Sequence, residues 1–169
     1  MKEANFKITP DLYASKGSRF ANYMVDYIIR IIVGIILVIL ITFISETVGS
    51  YGVYEFLVES ESKLSDYILG IIMVLIYFNI IESLTAKSVG KYITKTRVVM
   101  EDGSKPKFTD VFLRTLCRLI PFEAFSFLGD EGRGWHDSIS NTYVVDEKLF
   151  KAKKASINSL DQIGKQLEE

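Results

Sequence analysis

The chain has 169 residues, of which 49% are apolar, and a formal net charge of −1. This near-neutral balance, without blocks of like charge, gives no indication of a nucleic-acid partner. The single cysteine, Cys117, excludes an intrachain disulfide, and one cysteine with one histidine cannot by themselves complete a tetrahedral zinc site. We therefore expect no metal and no cofactor. The length suits one compact unit or one small bundle.

Two apolar stretches predict membrane-spanning helices. The first follows a polar N-terminal segment, residues 1–17, and extends over about 19–45 with Ser18 as the expected N-cap. About 27 residues form a helix of roughly 40 Å, which is longer than a hydrocarbon core of about 30 Å. The second covers about 66–84 and is uncharged over 67–81. The first stretch is too long for a signal-peptide core, so we expect it to remain in the mature protein.

The charges of the two connecting segments predict the orientation. Residues 46–66, between the apolar stretches, carry five acidic side chains and one lysine. The segment after the second stretch carries Lys87, Lys91, Lys95 and Arg97. Because loops rich in Lys and Arg stay in the cytoplasm, we expect both termini to be cytoplasmic and the acidic loop to lie outside.

Beyond the second stretch, the pattern predicts a small β element. Residues 92–100 alternate in polarity and are rich in strand-forming side chains, and an Asp-Gly pair follows them in a turn. We expect a short hairpin within 91–108 and a further strand over 141–145. The polar residues 147–169 have helical spacing and are predicted to be a surface helix or a partly disordered tail.

A helix capped by Thr109 or Asp110 is predicted to be amphipathic. Its apolar side chains share one face, whereas Arg114 and Arg118 lie on the opposite one. Such a helix suits the cytoplasmic membrane interface better than a span. The apolar residues 122–128 that follow are too few to cross a membrane, so they either dip into it or pack on the two spans. The predicted fold is a mainly α membrane protein with two transmembrane helices, a cytoplasmic-side amphipathic or re-entrant helix and a small β-hairpin element.

The first apolar stretch carries a polar stripe in its first half. Arg19, Asp26 and Arg30 are spaced at i, i+7 and i+11, close to one helix face, and Asp26 and Arg30 also form an i,i+4 pair. An ionisable group near the centre of a membrane costs about 2.5–3.5 kcal/mol, so such residues indicate function. The stripe either lines a cavity for an ion or small ligand, or is an ion-paired structural stripe whose arginines reach lipid phosphates.

Asn79 and Glu82 are candidates near the end of the second stretch. They stand one turn apart, at a depth similar to that of Asp26. Two carboxylates at one depth either share a proton or a cation, or are interface residues in contact with water.

Other polar residues have weaker functional interpretations. Lys91, Arg114 and Arg118 either bind anionic lipid headgroups or reflect the usual basic character of cytoplasmic loops. His136 is the only histidine, and no P-loop, GxSxG or HExxH motif is present. We expect this histidine to be structural or exposed and the protein not to be an enzyme.

With these residues in view, the chain resembles the RDD family of bacterial membrane proteins, which is named after one arginine and two aspartates. SRFANYMVD matches its first helix, with Arg19 and Asp26 as the arginine and the first aspartate. TAKSVGKYITKTRVVMEDGSKP is similar to its Thr-x-Gly-Lys segment, although a Ser-Val pair precedes Gly-Lys here, and FLRTLCRLIPFEAFSFL is similar to its arginine-bearing helix. GWHDSISNTYVV resembles its His-Asp segment, which makes Asp137 the second aspartate. The resemblance covers roughly residues 12–146.

The resemblance implies a multi-pass protein of the bacterial cytoplasmic (inner) membrane, with an RDD-like domain over residues 18–146 and the lipid bilayer as its partner. Transport, including cation/proton exchange, has been suggested for the family. In the first hypothesis, the Arg/Asp face transports or binds a small ligand or cation at Asp26, with Arg19 setting the pKa of Asp26. Two spans cannot enclose a pathway, so this requires a homo-oligomer or a partner membrane subunit. In the alternative, the protein is a non-catalytic scaffold or accessory subunit in which Arg19, Asp26 and Asp137 form a structural network.

Overall fold

Two long apolar helices organise the computed structural model, which describes residues 6–60, 62–129 and 132–168. Residues 1–5 of the predicted N-terminal segment, residue 61 of the acidic loop, residues 130–131 and the last residue of the tail lie outside that description. Helix α1 (Lys16–Val48) and helix α3 (Lys63–Thr85) confirm the two predicted spans, and both are longer than predicted. Helix α1 starts one turn early because the Ser15 side chain, rather than Ser18, caps it by accepting from the Ser18 amide at 3.1 Å.

The apolar surface of the two helices is largely uncovered. In the most apolar part of each helix, 6% of α1 and 28% of α3 is buried. A core helix of a soluble domain would be mostly buried, so this exposure is typical of helices that face lipid. The helices are antiparallel, since Tyr77 of α3 donates to Asp26 of α1 while Met73 lies beside Gly34, farther along α1.

The uncharged parts of α1 and α3 have equal length. Residues 31–45 and 67–81 each rise about 22 Å, somewhat less than a hydrocarbon core of about 30 Å. Arg30 and Glu82 border these segments at the same end of the pair, because the helices are antiparallel. At the other end, the short helix α2 (Gly52–Tyr54) and one π-helical turn (Glu55–Glu59) connect them.

A two-stranded antiparallel sheet lies on the polar side of the structure. Strand β1 (Thr96–Met100) pairs with β2 (Thr142–Asp146), with Thr96 opposite Asp146 and Val99 opposite Tyr143. The sheet confirms the predicted β element, but the local hairpin within 91–108 is wrong. Residues 89–93 form the short helix α4 (Val89–Ile93).

The expected turn forms without a returning strand. Gly103 has a φ of +74°, and the Met100 amide donates to the Ser104 carbonyl at 2.9 Å. The residues that follow are polar, and Pro106 has no amide hydrogen to donate to a ladder. The distant strand β2 supplies buried valines instead, so it forms the better partner for β1.

The N-terminal segment and the start of the tail complete a small core on this sheet. The Ile8 amide donates to the Glu101 carbonyl and the Ala14 amide donates to the Val144 carbonyl, both at 2.9 Å. The core consists of apolar side chains from four segments: Ile8, Leu12, Val99, Val145 and Phe150. Phe150 belongs to helix α7 (Glu147–Glu168), so the tail begins inside the folded unit. We call residues 6–14, 86–129 and 132–150 the lobe.

Helix α5 (Phe108–Cys117) has its charged face inside and its apolar face outside. Arg114 is fully buried, whereas Phe108 is 61% exposed and Phe112 is 41% exposed. This inverted pattern fits the predicted position at a membrane interface, where lipid would cover the apolar face. The predicted cap is wrong by a few residues, because the helix follows Lys107, whose amide donates to the Asp110 carboxylate at 2.8 Å.

The short apolar piece after α5 packs on the first helix. It forms a 3₁₀ helix (Glu123–Leu128), and Phe127 is buried under the guanidinium of Arg19, which lies 5.4 Å from the ring centre. The last short helix, α6 (Trp135–Ile139), precedes β2 and carries His136 and Asp137.

Candidate functional site

Asp26 is held by three hydrogen-bond donors. Its carboxylate accepts from the Tyr77 hydroxyl at 2.7 Å, the Ser88 hydroxyl at 2.5 Å and the Gly90 amide at 2.8 Å. The residue is 4% exposed. Three donors suffice to stabilise a buried carboxylate without a counter-ion. Within the described residues, Asp26 and Arg30 make no salt bridge, and the carboxylate takes its hydrogen bonds from these three donors instead.

Gly90 allows α4 to approach α1 closely. A Cβ atom at this position would lie 2.5 Å from the carbonyl oxygen and 2.8 Å from the Cα of Asn22. The Asn22 side chain fastens the same contact, because its amide is hydrogen-bonded to the hydroxyls of Thr94 at 2.5 Å and Thr96 at 3.0 Å. The middle of the polar stripe therefore joins the first span to the lobe.

Arg19 pairs with Asp137 rather than with Asp26. Its guanidinium donates to the Asp137 carboxylate and, at 2.7 Å, to the Gly132 carbonyl. Arg114 donates to the other oxygen of Asp137 at 2.5 Å, and all three charged side chains are buried. Burial alone would raise the pKa of Asp137, but His136 and the two guanidiniums together outweigh burial and hold that pKa well below its usual range. The carboxylate that Arg19 binds is therefore that of Asp137 in the lobe, and not that of Asp26 on its own helix.

Glu82 is the centre of a second buried cluster. Its carboxylate accepts from Lys91 at 2.8 Å and from Arg118 at 2.9 Å, and Arg114 Nε lies 3.6 Å away. Burial lowers the pKa of Lys91, while the Glu82 carboxylate counteracts it. Lys91 also donates to the Ser88 hydroxyl at 3.3 Å, and it therefore links Glu82 to the serine that binds Asp26.

His136 joins the network from α6. Its Nδ1 is hydrogen-bonded to Glu123, and its Nε2 lies 3.3 Å from Asp137. Burial lowers the pKa of His136 in spite of these two carboxylates, which favours a neutral imidazole at neutral pH. Asn79 lies outside the network: its amide donates to the Leu75 carbonyl at 3.0 Å, and its side-chain oxygen is buried without a hydrogen-bond partner.

Arg30 is only partly buried and, among the described residues, lacks the carboxylate partner that Arg19, Arg114 and Arg118 have. Within the described part of the chain it makes no salt bridge, and its Nε is buried without a hydrogen-bond partner. Its guanidinium lies 5.7 Å from the ring centres of both Tyr27 and Phe78.

A cavity of about 90 Å³ lies beside these contacts, lined by residues of the polar stripe of α1 and of the lobe. This volume can hold several water molecules or one small ligand. Its charged lining residues come from α1 and from the lobe and are Arg19, Asp26, Arg30, Lys91, Arg118 and Glu123. In residues 6–60, 62–129 and 132–168, no group of three or more His, Cys, Asp or Glu side chains is arranged to hold a metal ion.

Two exposed apolar helices, joined to a polar lobe by buried ion pairs, define a membrane protein with two spans. The RDD family model matches residues 13–141, and the chain therefore belongs to the RDD family. The match confirms the resemblance seen in the sequence, and Arg19, Asp26 and Asp137 all lie within it. No curated protein and no solved structure matches the chain.

Several residues of the site were missed in the sequence. Tyr77 and Ser88 hold Asp26, and Glu123 holds His136, but none of the three has a charge pattern that distinguishes it. Gly90 lies in a segment that the family resemblance includes, which is the one signal that could have directed attention to it.

Proposed function

We propose that this protein binds a small ligand in the cavity between α1 and the lobe, as a component of a membrane transport system. The observation that supports this best is the position of the cavity. It opens among charged side chains directly beside the uncharged, lipid-facing parts of α1 and α3. Maintaining buried charges at this level is costly, and an occupant of the cavity gives them a role.

The three family residues support the cavity as a framework. Arg19 and Asp137 join the first span to the lobe, and Asp26 holds α4 against α1. Their buried, satisfied contacts keep the walls in place whether or not a ligand is present. In this proposal, they position the cavity rather than contribute the main ligand contact.

The membrane setting is also part of the proposal. The acidic segment between the spans and the basic segments of the lobe favour a protein of the bacterial inner membrane whose lobe and both termini lie in the cytoplasm. Two spans do not enclose a pathway, so transport requires a homo-oligomer or a partner membrane subunit. We propose no enzymatic step, because His136 serves as a link between Glu123 and Asp137.

The alternative function is that of a non-catalytic scaffold or accessory subunit. It is favoured by the full set of partners that Arg19, Asp26 and Asp137 find within the chain. On this view, the network fixes the lobe on the membrane, and the cavity has no specific occupant.

Thermal unfolding in a mild neutral detergent separates the two functions. A panel of alkali cations, inorganic phosphate, small carboxylates and amino acids should contain a compound that raises the unfolding temperature of the wild type. The shift should disappear in Tyr23→Trp, which narrows the cavity, and persist in Ile28→Trp, at an exposed position of the same helix outside the cavity lining. Flux of that compound into proteoliposomes then tests transport. If no compound shifts the unfolding temperature or is transported, and Asp26→Asn gives a low yield of folded protein, the scaffold function is the one that stands.

A further inference from the structure

Arg30 is poorly compensated for a cation at the edge of an apolar membrane segment. Within the described residues, it makes no salt bridge and no hydrogen bond, and its Nε is buried. The Asp26 carboxylate attracts it electrostatically, but from beyond salt-bridge distance. The rings of Tyr27 and Phe78 lie beside its guanidinium. Cation–π contact offsets part of the desolvation of a guanidinium, but it satisfies none of its N–H donors.

The other cations at the cavity are already paired within the chain. Arg19 is bound to Asp137, and Lys91 and Arg118 are bound to Glu82. The donors of these side chains are therefore largely used, whereas those of Arg30 remain available on the cavity wall.

The charges around the cavity do not balance in the described part of the chain. Five cationic side chains meet four carboxylates, which leaves one positive charge in excess. The set comprises Arg19, Arg30, Lys91, Arg114, Arg118, Asp26, Glu82, Glu123 and Asp137. An uncompensated buried charge is unfavourable, so a bound anion would stabilise this arrangement.

Arg118 brings a second guanidinium to the same place. Its Cζ lies 3.7 Å from the ring centre of Phe78, the ring that Arg30 also contacts. Both arginines line the cavity. Two guanidiniums that converge on one ring repel each other, and an anion between them would turn this repulsion into attraction.

We propose that the ligand of the cavity is a small oxyanion, either a free phosphate or carboxylate or the phosphate of an anionic lipid, bound by Arg30 with support from Arg118. This inference rests on the proposed ligand-binding function and specifies its ligand class. Asp26 does not provide the binding charge, because its oxygens already accept three hydrogen bonds. A planar guanidinium is suited to two parallel hydrogen bonds with either anion.

Binding of radiolabelled inorganic phosphate to the detergent-purified protein tests the free-anion source. The wild type should bind saturably, and Arg30→Gln should bind about tenfold more weakly or worse. Arg97→Gln is the matched control, because Arg97 also has a buried, unpartnered Nε and lies 5.7 Å from a ring, that of Phe150, but is outside the cavity lining. Its affinity should stay within about twofold of the wild type.

A nanodisc experiment tests the lipid source. Unfolding temperatures are compared in phosphatidylcholine and in phosphatidylcholine with phosphatidylglycerol. If phosphatidylglycerol raises the unfolding temperature of the wild type but not that of Arg30→Gln, and free phosphate does not bind, the site belongs to a lipid phosphate. Arg30→Lys keeps the charge and should retain weakened binding, which provides a second test if Arg30→Gln folds poorly. Without any anion, Arg30→Gln should unfold at a higher temperature than the wild type, because it removes an uncompensated charge.

The proposal is overturned if Arg30→Gln matches the wild type both in phosphate affinity and in its response to phosphatidylglycerol. It is also overturned if the wild type neither binds phosphate nor is stabilised by phosphatidylglycerol. If an alkali cation stabilises the wild type and neither phosphate source does, the ligand is not an anion, but the proposed ligand-binding function still stands. Absence of an effect from every compound would overturn both.

Discussion

Replacing Gly90 with alanine should separate the lobe from the first span. The new methyl group would lie 2.5 Å and 2.8 Å from two backbone atoms of Asn22, so α4 has to move. Overpacking of this kind costs about 1–3 kcal/mol, and weakening the Gly90 amide's bond to the Asp26 carboxylate costs about 1.5–3 kcal/mol. The higher helix propensity of alanine offsets about 1 kcal/mol. The net loss should be about 1.5–5 kcal/mol.

Unfolding of the purified protein by SDS in mixed micelles, followed by the fluorescence of Trp135, measures this loss. Trp135 is the chain's single tryptophan and lies in the lobe. Gly70→Ala is the control, because nothing lies within 4 Å of the new atom at this exposed position of α3. It should be neutral or stabilise the protein by up to about 1 kcal/mol. Equal unfolding midpoints for the two variants would refute the close packing of α4 on α1.

Three further perturbations test other parts of the structure. Asp137→Asn leaves two buried guanidiniums without their carboxylate and should lower the free energy of unfolding by about 3–5 kcal/mol in the same assay. The control, Glu46→Gln at an exposed position, should change it by no more than about 0.5 kcal/mol. Similar unfolding midpoints for the two variants would contradict the framework role of Asp137. Phe150→Ala should lower the free energy of unfolding by about 3–5 kcal/mol, whereas Leu160→Ala, at a side chain that is 64% exposed, should leave it almost unchanged. If the tail were independent of the lobe, neither substitution would change the free energy of unfolding. Because burial lowers the pKa of His136, the unfolded state takes up its proton first, so stability should fall as the pH drops from about 7 to 5. His136→Asn should flatten that dependence, and a wild type insensitive to pH in this window would contradict a buried neutral imidazole.

The main elements could be predicted because their signals are local. Long uncharged runs specify α1 and α3, and residues 92–100 and 141–145 carry strand patterns. What failed was the pairing of elements. An Asp-Gly turn predicts a hairpin, but β1 pairs with the distant strand β2. Even the paired residues nearest in sequence, Met100 and Thr142, are 42 positions apart. The pairing is decided by the buried core that the two strands share, and local sequence does not contain that information.

Partner choice within the polar site failed for the same reason. Arg19, Asp26 and Arg30 share a helix face, which favoured contacts among themselves. In the structure, each faces a different group: Arg19 meets Asp137, Asp26 meets hydroxyls and an amide, and Arg30 meets aromatic rings. Long-range contacts decide which charges are neutralised, and the excess of positive charge at the cavity becomes visible only in three dimensions.

We expect α1 to pass from a water-accessible, charged cavity into lipid at Arg30. Single cysteines at Tyr23, on the cavity wall, and at Ile35, which is 57% exposed on the apolar side, test it in a Cys117→Ser background. The measurement is the rate of labelling by a membrane-impermeant maleimide in vesicles with the lobe outside. Tyr23→Cys should react rapidly and Ile35→Cys only after detergent unfolding. Equally rapid labelling of Ile35→Cys in intact vesicles would contradict a membrane boundary at Arg30.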